Sequence, residues 1–298
     1  MPAPSQLLSH WVEKQTPPGE WRWLTERVAR GAATPDRDIF ITLGLIPRRL
    51  GRADLALDQS DLDAAEAARP GWDPRGWSVD GAARVWVLLQ TVAQAESFPE
   101  NFQRLCRTAD AAEAIALYRG LPLYPQGERL EAQAAEGVRS NMSAIFEAVA
   151  HHNAYPRSYF SDHRWNHMVL KALFVGSALA PIQGLDERAN ADLTLMLFDY
   201  AHERWAAERD VTPELWRAVG PFATSAPMLA DLGRVLGSGT PKERAAAALA
   251  LSASRSEEAA RILQTAPELA GRIETGRGPI LTTKLTSLPH VSCPLAGI

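Results

Sequence analysis

The sequence predicts an all-α fold, an irregular helical array whose C-terminal half forms a HEAT-like α-solenoid. Three observations predict it. Threonine–proline pairs at Thr34-Pro35, Thr212-Pro213 and Thr240-Pro241 each set a capping hydroxyl before a residue suited to the first helical position. Apolar residues recur at helical spacing along much of the chain. No run of alternating, β-branched residues reads as a strand.

Taken in order, Leu7, Leu8, Trp11 and Val12 form the first stripe, and Val85, Leu88, Leu89 and Val92 another. Residues 80–94, 110–118, 128–150 and 190–208 read as the longer helices. Residues 71–77 and 120–127 are rich in proline and glycine and read as loops, the second being a soft boundary. From Thr212 the helices shorten, over about 213–222, 227–236, 241–252, 257–264 and 267–274. In the third of these, Glu243 completes a capping box with Thr240. Stacked short helices of this kind suggest a solenoid. Residues from 276 onward show no helix period and predict an extended or disordered tail. The expected organisation is an N-terminal helical region (1–127), a central and C-terminal repeat region (128–276) and the tail (277–298).

A chain of 298 residues can bury a substantial core. A net charge of −4 offers nothing to a polyanion, so nucleic acid is not an expected partner. Cys106 and Cys293 are too far apart in sequence to suggest a disulfide scaffold or thiolate metal site, and suit a reducing cytosol. The first residues lack a basic segment followed by an apolar run. The longest uncharged run, 172–185, is too short to span a bilayer and is interrupted by Gly176, Pro181 and Gly184. A soluble, cytoplasmic protein is expected.

Unusual chemistry concentrates in residues 151–205, which hold five of the seven histidines. On a helix over 162–175, Trp165, Met168, Val169, Ala172 and Leu173 share the core face. His163, His167 and Lys171 fall on the other side. A His-x-x-x-His pair chelates a transition metal, yet no local acid or cysteine completes a ligand set, and a solvated face is the simpler reading. No metal is expected. Asn166 lies at the edge of the apolar arc, where a buried amide needs partners, either to tie a loop or to hold a ligand.

On the helix over 190–208, Asn190 is the natural cap, and Leu193, Met196, Leu197 and Tyr200 make the buried stripe that Arg204 continues. Asp199, His202 and Glu203 form a second face. Two carboxylates beside one imidazole suit acid–base work, or else form an exposed acidic face. Asp186, Glu187 and Arg188 precede this helix, with Arg188 either part of the approach or a fork donor for an anionic ligand. At His151-His152-Asn153-Ala154-Tyr155, one histidine is expected to close the preceding helix and Asn153 to take the left-handed cap. Trp72, Trp77 and Trp216, near turns, are candidates to line an aromatic pocket.

No Gly-x-Ser-x-Gly, phosphate loop, Gly-x-Gly-x-x-Gly or His-Glu-x-x-His is present, and no cofactor is expected. An enzyme, a hydrolase or isomerase using His202 with Asp199 or Glu203, stays as the alternative to a binding protein.

The stretches His151-His152-Asn153-x-Tyr155-Pro156, Trp165-Asn166-x-Met168-Val169-Leu170-Lys171-Ala172-Leu173-Phe174, Gly184-Leu185-Asp186-Glu187-Arg188-Ala189-Asn190 and Asp199-Tyr200-Ala201-His202-Glu203-Arg204-Trp205 resemble the EboA family. The resemblance is specific over about 151–222, weaker to about 276 and vague over the first 130 residues. Ala154 stands where proline is expected, and His167 where glutamine is. The resemblance implies a helical scaffold or accessory protein of secondary-metabolite precursor traffic, with no established catalytic residue. It also implies partners from one operon, among them a prenyltransferase-like membrane protein, an aromatic small metabolite as ligand, and a place peripheral to the inner membrane through those partners.

Overall fold

The computed structural model describes residues 2–31, 35–91 and 96–274. Every regular element among them is helical, and extended pairing is confined to two isolated antiparallel bridges, Asp54 with Ser78 and Trp72 with Asn153. The all-α expectation holds. Thr34, Val92, Gln94, Cys293 and the expected tail lie outside the described residues. Contacts divide the chain into two compact units, Met1–Leu185 and Asp186–Ile298. The soft boundary expected at 120–127 therefore lies inside the first unit.

The first unit contains α1 (Pro4–Gln15), α2 (Pro18–Gly31), α3 (Pro35–Leu50), α4 (Gln59–Ala68), α5 (Val79–Thr91) and α6 (Phe98–Thr108). It continues with α7 (Ala111–Arg119), α8 (Glu131–Arg139), α9 (Ser143–Ala150), α10 (Tyr155–Tyr159) and α11 (Asp162–Phe174). Helix α5 buries every residue from Val79 to Leu88, as a rod surrounded by neighbours must. It packs against α1, α2, α3 and α7. Inside this core Arg84 Nη1 donates to Asp80 Oδ2 at 2.6 Å, one turn away, with the side chains 1% and 5% exposed. Its Nε reaches the Leu43 carbonyl at 3.3 Å. Such a pair is costly to break, because either partner alone is a buried charge.

The single helix expected over 128–150 is not formed. A 3-10 turn (Gly127–Leu130) leads into α8, the chain reverses at 140–142, and α9 packs back on α8. Gly137 makes this close hairpin possible, since a Cβ there would sit 2.7 Å from Val149 Cγ2. Lys171 of α11 closes the end of α8 by donating to the carbonyls of Val138 (2.5 Å) and Ser140 (2.8 Å). Burial of this ammonium lowers its pKa from the ordinary lysine value.

The second unit holds α12 (Ala191–Ala206), α13 (Ala226–Ser238), α14 (Pro241–Ala253), α15 (Glu257–Leu263) and α16 (Pro267–Glu274). Asn190 caps α12 through Leu193 N at 2.8 Å, and Thr240 and Glu243 form the expected box on α14. The helix expected over 213–222 is instead two 3-10 turns, Pro213–Ala218 and Gly220–Phe222. Pro213 and Pro221 bring no N–H, and Gly220 lies so near α14 that a Cβ would be 2.8 Å from Ala250 O. Helix α14 buries Ala245 to Ala248 and Ala250, and packs against α13, α15, α16 and both turns. Its small side chains let those neighbours close in.

Candidate functional site

A cleft of about 530 Å³ opens in the first unit between α4, the 71–77 loop and the segments around His152 and Gln183. The volume is that of a small-molecule site. Its wall starts at Gly71, which adopts φ +80°, a conformation glycine alone accepts readily. The Gly71 amide donates to Glu66 Oε2 at 2.8 Å, and its carbonyl accepts from Gln183 Nε2 at 3.0 Å. Both faces of the peptide are therefore held. Trp72 is buried between Trp11 and Trp77, with ring centroids 5.4 and 6.3 Å away. Among the described residues its buried indole N–H has no hydrogen-bond partner.

Asp73 is the hub of the cleft. Its carboxylate accepts from His152 Nδ1 at 2.8 Å and from Arg75, at 2.8 Å from Nε and 2.5 Å from a terminal nitrogen. The Arg75 amide adds a turn-closing bond at 3.1 Å. Burial alone would raise the pKa of this carboxyl, but the His152 and Arg75 bonds outweigh it and hold the group well below the usual carboxylate range. Asp73 is thus a fixed anion clamped between two donors. Asp63 and Glu66 of α4 and Arg157 of α10 also line the cleft, so both signs of charge face it.

The backbone explains how His152 reaches Asp73. His152, not Asn153, takes the left-handed conformation after α9, with φ +51°, and its amide donates to Pro181 O at 3.0 Å. The expected left-handed asparagine is therefore corrected. Asn153 is buried, donates to the carbonyls of Tyr118 (3.0 Å) and Ala148 (2.9 Å), and accepts from Tyr155 N (3.0 Å). Each of its amide atoms is used, which makes it a loop anchor. The Tyr155 hydroxyl donates to Gly127 O at 2.6 Å, and burial pushes its pKa upward. His151 closes α9 through its amide to Glu147 O, as expected of one of the pair. Its Nε2 lies 2.9 Å from Ala178 O and 3.2 Å from Ser177 Oγ, and Ser177 donates to Glu147 Oε1.

The remaining expected residues serve elsewhere. Asn166 is buried in α11, at 3% exposure, and Lys171 closes α8. His163 and His167 stand exposed, with Nε2 atoms 3.1 Å apart. Among the described residues no group of three or more His, Cys, Asp or Glu side chains is arranged to hold a metal.

In the second unit, Asp186 accepts a two-point fork from Arg217, at 2.7 and 2.5 Å, while Glu187 is exposed and Arg188 half-buried. Arg204 Nε donates to Asp210 O at 3.0 Å and closes the turn after α12. The acid beside His202 is Asp231 of α13, at 2.6 Å, rather than Asp199 or Glu203, which lie exposed. Arg234 also reaches Asp231, at 3.1 Å, and lies 3.8 Å over the Trp205 ring, which stacks on buried Trp216. The His202 side chain is 52% exposed. The helix over 162–175 belongs to the first unit and the helix over 190–208 to the second.

Sequence reasoning missed Asp73, Arg75, Glu66, Arg157 and Gln183. One local signal existed. Asp73-Pro74-Arg75-Gly76 has the composition of a turn in which the aspartate bonds the backbone two residues on.

A family model described as Metabolite traffic protein EboA matches residues 4–220. The match reaches well into the first 130 residues, where the resemblance read from the sequence was vague. No curated protein and no solved structure matches.

Proposed function

Since the chain belongs to the EboA family, we propose that it is a non-catalytic accessory protein of metabolite traffic that binds a small metabolite in the cleft at Asp73. One observation carries this reading: a cleft of ligand size whose polar wall is fixed in advance by Asp73, His152, Arg75 and the doubly held Gly71 peptide. Preorganised polar groups lower the ordering cost of binding. A fixed anion flanked by donors favours a hydrogen-bonding ligand, and an aromatic ring bearing hydroxyl or amino groups fits that chemistry. In traffic, the same protein would dock proteins of its operon as a scaffold, including a prenyltransferase-like membrane protein. The place we propose is the cytoplasm, at the inner membrane through those partners. Among the described residues no helix is long and apolar enough to cross a membrane, which suits this arrangement. A HEAT-like stacking of the C-terminal helices belongs to the same proposal, supported by the mutual packing of α13, α14 and α15.

Titration of the full chain with hydroxylated and amino-substituted aromatics, followed by calorimetry, tests the reading. Saturable binding that weakens at least about tenfold in Asp73→Asn supports it. Absence of saturable binding by a folded chain that also captures no operon partner would overturn it.

The enzyme alternative pairs His202 with Asp199 or Glu203, whereas the acid that His202 bonds is Asp231. The His202 side chain is 52% exposed and that of Asp231 17%.

A further inference from the structure

We propose that a second hollow, beside the cleft, binds an α-amino acid with an apolar side chain. The hollow has a volume of about 170 Å³ and is lined by Trp77, Ile115, Arg119, Ala144, Glu147, His151 and Asn153, with Arg75 and His152 shared with the cleft. It adjoins a more apolar space of about 180 Å³ that shares Trp77, Ile115 and Arg119 and adds Ala112 and Ala116 together with Arg52, Ser78, Asp80 and Gly81.

Two opposite charges face this hollow without meeting each other. Arg119 of α7 makes one hydrogen bond among the described residues, from Nη1 to Gly76 O at 2.6 Å. A guanidinium carries five N–H donors, so most of its fork is unused. Burial pulls the Arg119 pKa down from the ordinary value, and the nearby Glu147 charge pulls it back. A partly desolvated cation of this kind gains from a carboxylate, which the fork binds at two points. Glu147 of α9 spends Oε1 on Ser177. Its charge opposes a simple anion such as phosphate and favours a ligand that also brings an ammonium group. An α-amino acid carries both groups on one carbon. Its side chain then has Trp77 and Ile115 to lie against and the adjoining space to enter. Of the other titratable groups at the walls, Arg75 and His152 both bond Asp73, and His151 Nε2 lies 2.9 Å from Ala178 O. In the adjoining space Asp80 is paired with Arg84, and Arg52 stands at the wall. This site does not depend on the reading of the cleft.

Calorimetry on the full chain decides the matter, with L-phenylalanine, L-leucine and L-tryptophan as zwitterions. The controls are 3-phenylpropionate, which lacks the ammonium, phenethylamine, which lacks the carboxylate, and inorganic phosphate. At least one amino acid is expected to bind about tenfold or more tightly than either single-charge analogue, with no saturable phosphate binding. Arg119→Gln is expected to erase the preference over phenethylamine, and Glu147→Gln the preference over 3-phenylpropionate. Because Arg119 also holds the 71–77 loop, thermal melts accompany these variants. Ala144→Trp fills the exposed edge of the hollow with both charges intact, and is expected to abolish binding even where Arg119→Gln does not fold. The proposal is overturned if no amino acid saturates the folded chain, if charged analogues or phosphate bind equally well, or if Ala144→Trp binds as the parent does.

Discussion

Replacing Asp73 with asparagine tests the hub of the cleft. The substitution keeps the shape, removes the charge and turns one acceptor into a donor facing donors. The bond from His152 at 2.8 Å is a charge-assisted one to a carboxylate that is 12% exposed, and bonds of that class contribute roughly 1.5–3 kcal/mol. The Arg75 side chain is 63% exposed, so its share is screened to roughly 0–1 kcal/mol. The expected loss at neutral pH is about 2–3 kcal/mol. The pH dependence has a fixed sign. The folded pKa of Asp73 lies below the unfolded value, so its stabilisation is complete above about pH 4 and is lost as pH falls through the folded value. At about pH 3 the gap between parent and variant is expected to be about 1 kcal/mol narrower than at about pH 7. Urea unfolding followed by far-ultraviolet circular dichroism measures both gaps. A gap below about 0.5 kcal/mol at neutral pH, or one that does not narrow in acid, refutes the reasoning.

Asp80→Asn leaves the Arg84 guanidinium charged inside the core, and is expected to cost about 3–5 kcal/mol by urea unfolding. Exchanging both residues for apolar ones of similar volume should recover most of that loss. Gly71→Ala forces a side chain into φ +80° with its Cβ 2.6 Å from that of Ala154, an expected loss of about 2–4 kcal/mol. It should also weaken any ligand of the cleft in the same calorimetric titration. Lys171→Met keeps the apolar stem but deprives the Val138 and Ser140 carbonyls of a donor. A loss of about 1–2 kcal/mol is expected, with earlier amide exchange at the end of α8.

Local signals carried the helices well. Asn190 and Thr240 cap as their side chains foretell, because a cap is a contact between residues three apart. Elements broken by tertiary packing were not legible. No proline marks the reversal at 140–142, where the Ser140 hydroxyl accepts from the Met142 amide and Gly137 leaves room for Val149 and Tyr118 to come close. The cleft was legible only in part. His152 stood out as a residue of interest, but its partner Asp73 lies 79 positions away. His202 was singled out with the acids of its own helix, while the bonded acid is 29 positions on. Periodicity reports which face a residue occupies, and is silent on what another helix brings to that face.

Helix α14 sets a particular tolerance on the second unit. Along the face of Ala245 to Ala248 and Ala250 only methyl groups stand between the helix backbone and its neighbours, and Gly220 comes within reach of the Ala250 carbonyl. Bulk, more than polarity, then becomes the forbidden change. Serine at Ala247 or Ala248 should be accepted more readily than leucine, the reverse of what a core filled with large aliphatic groups would permit.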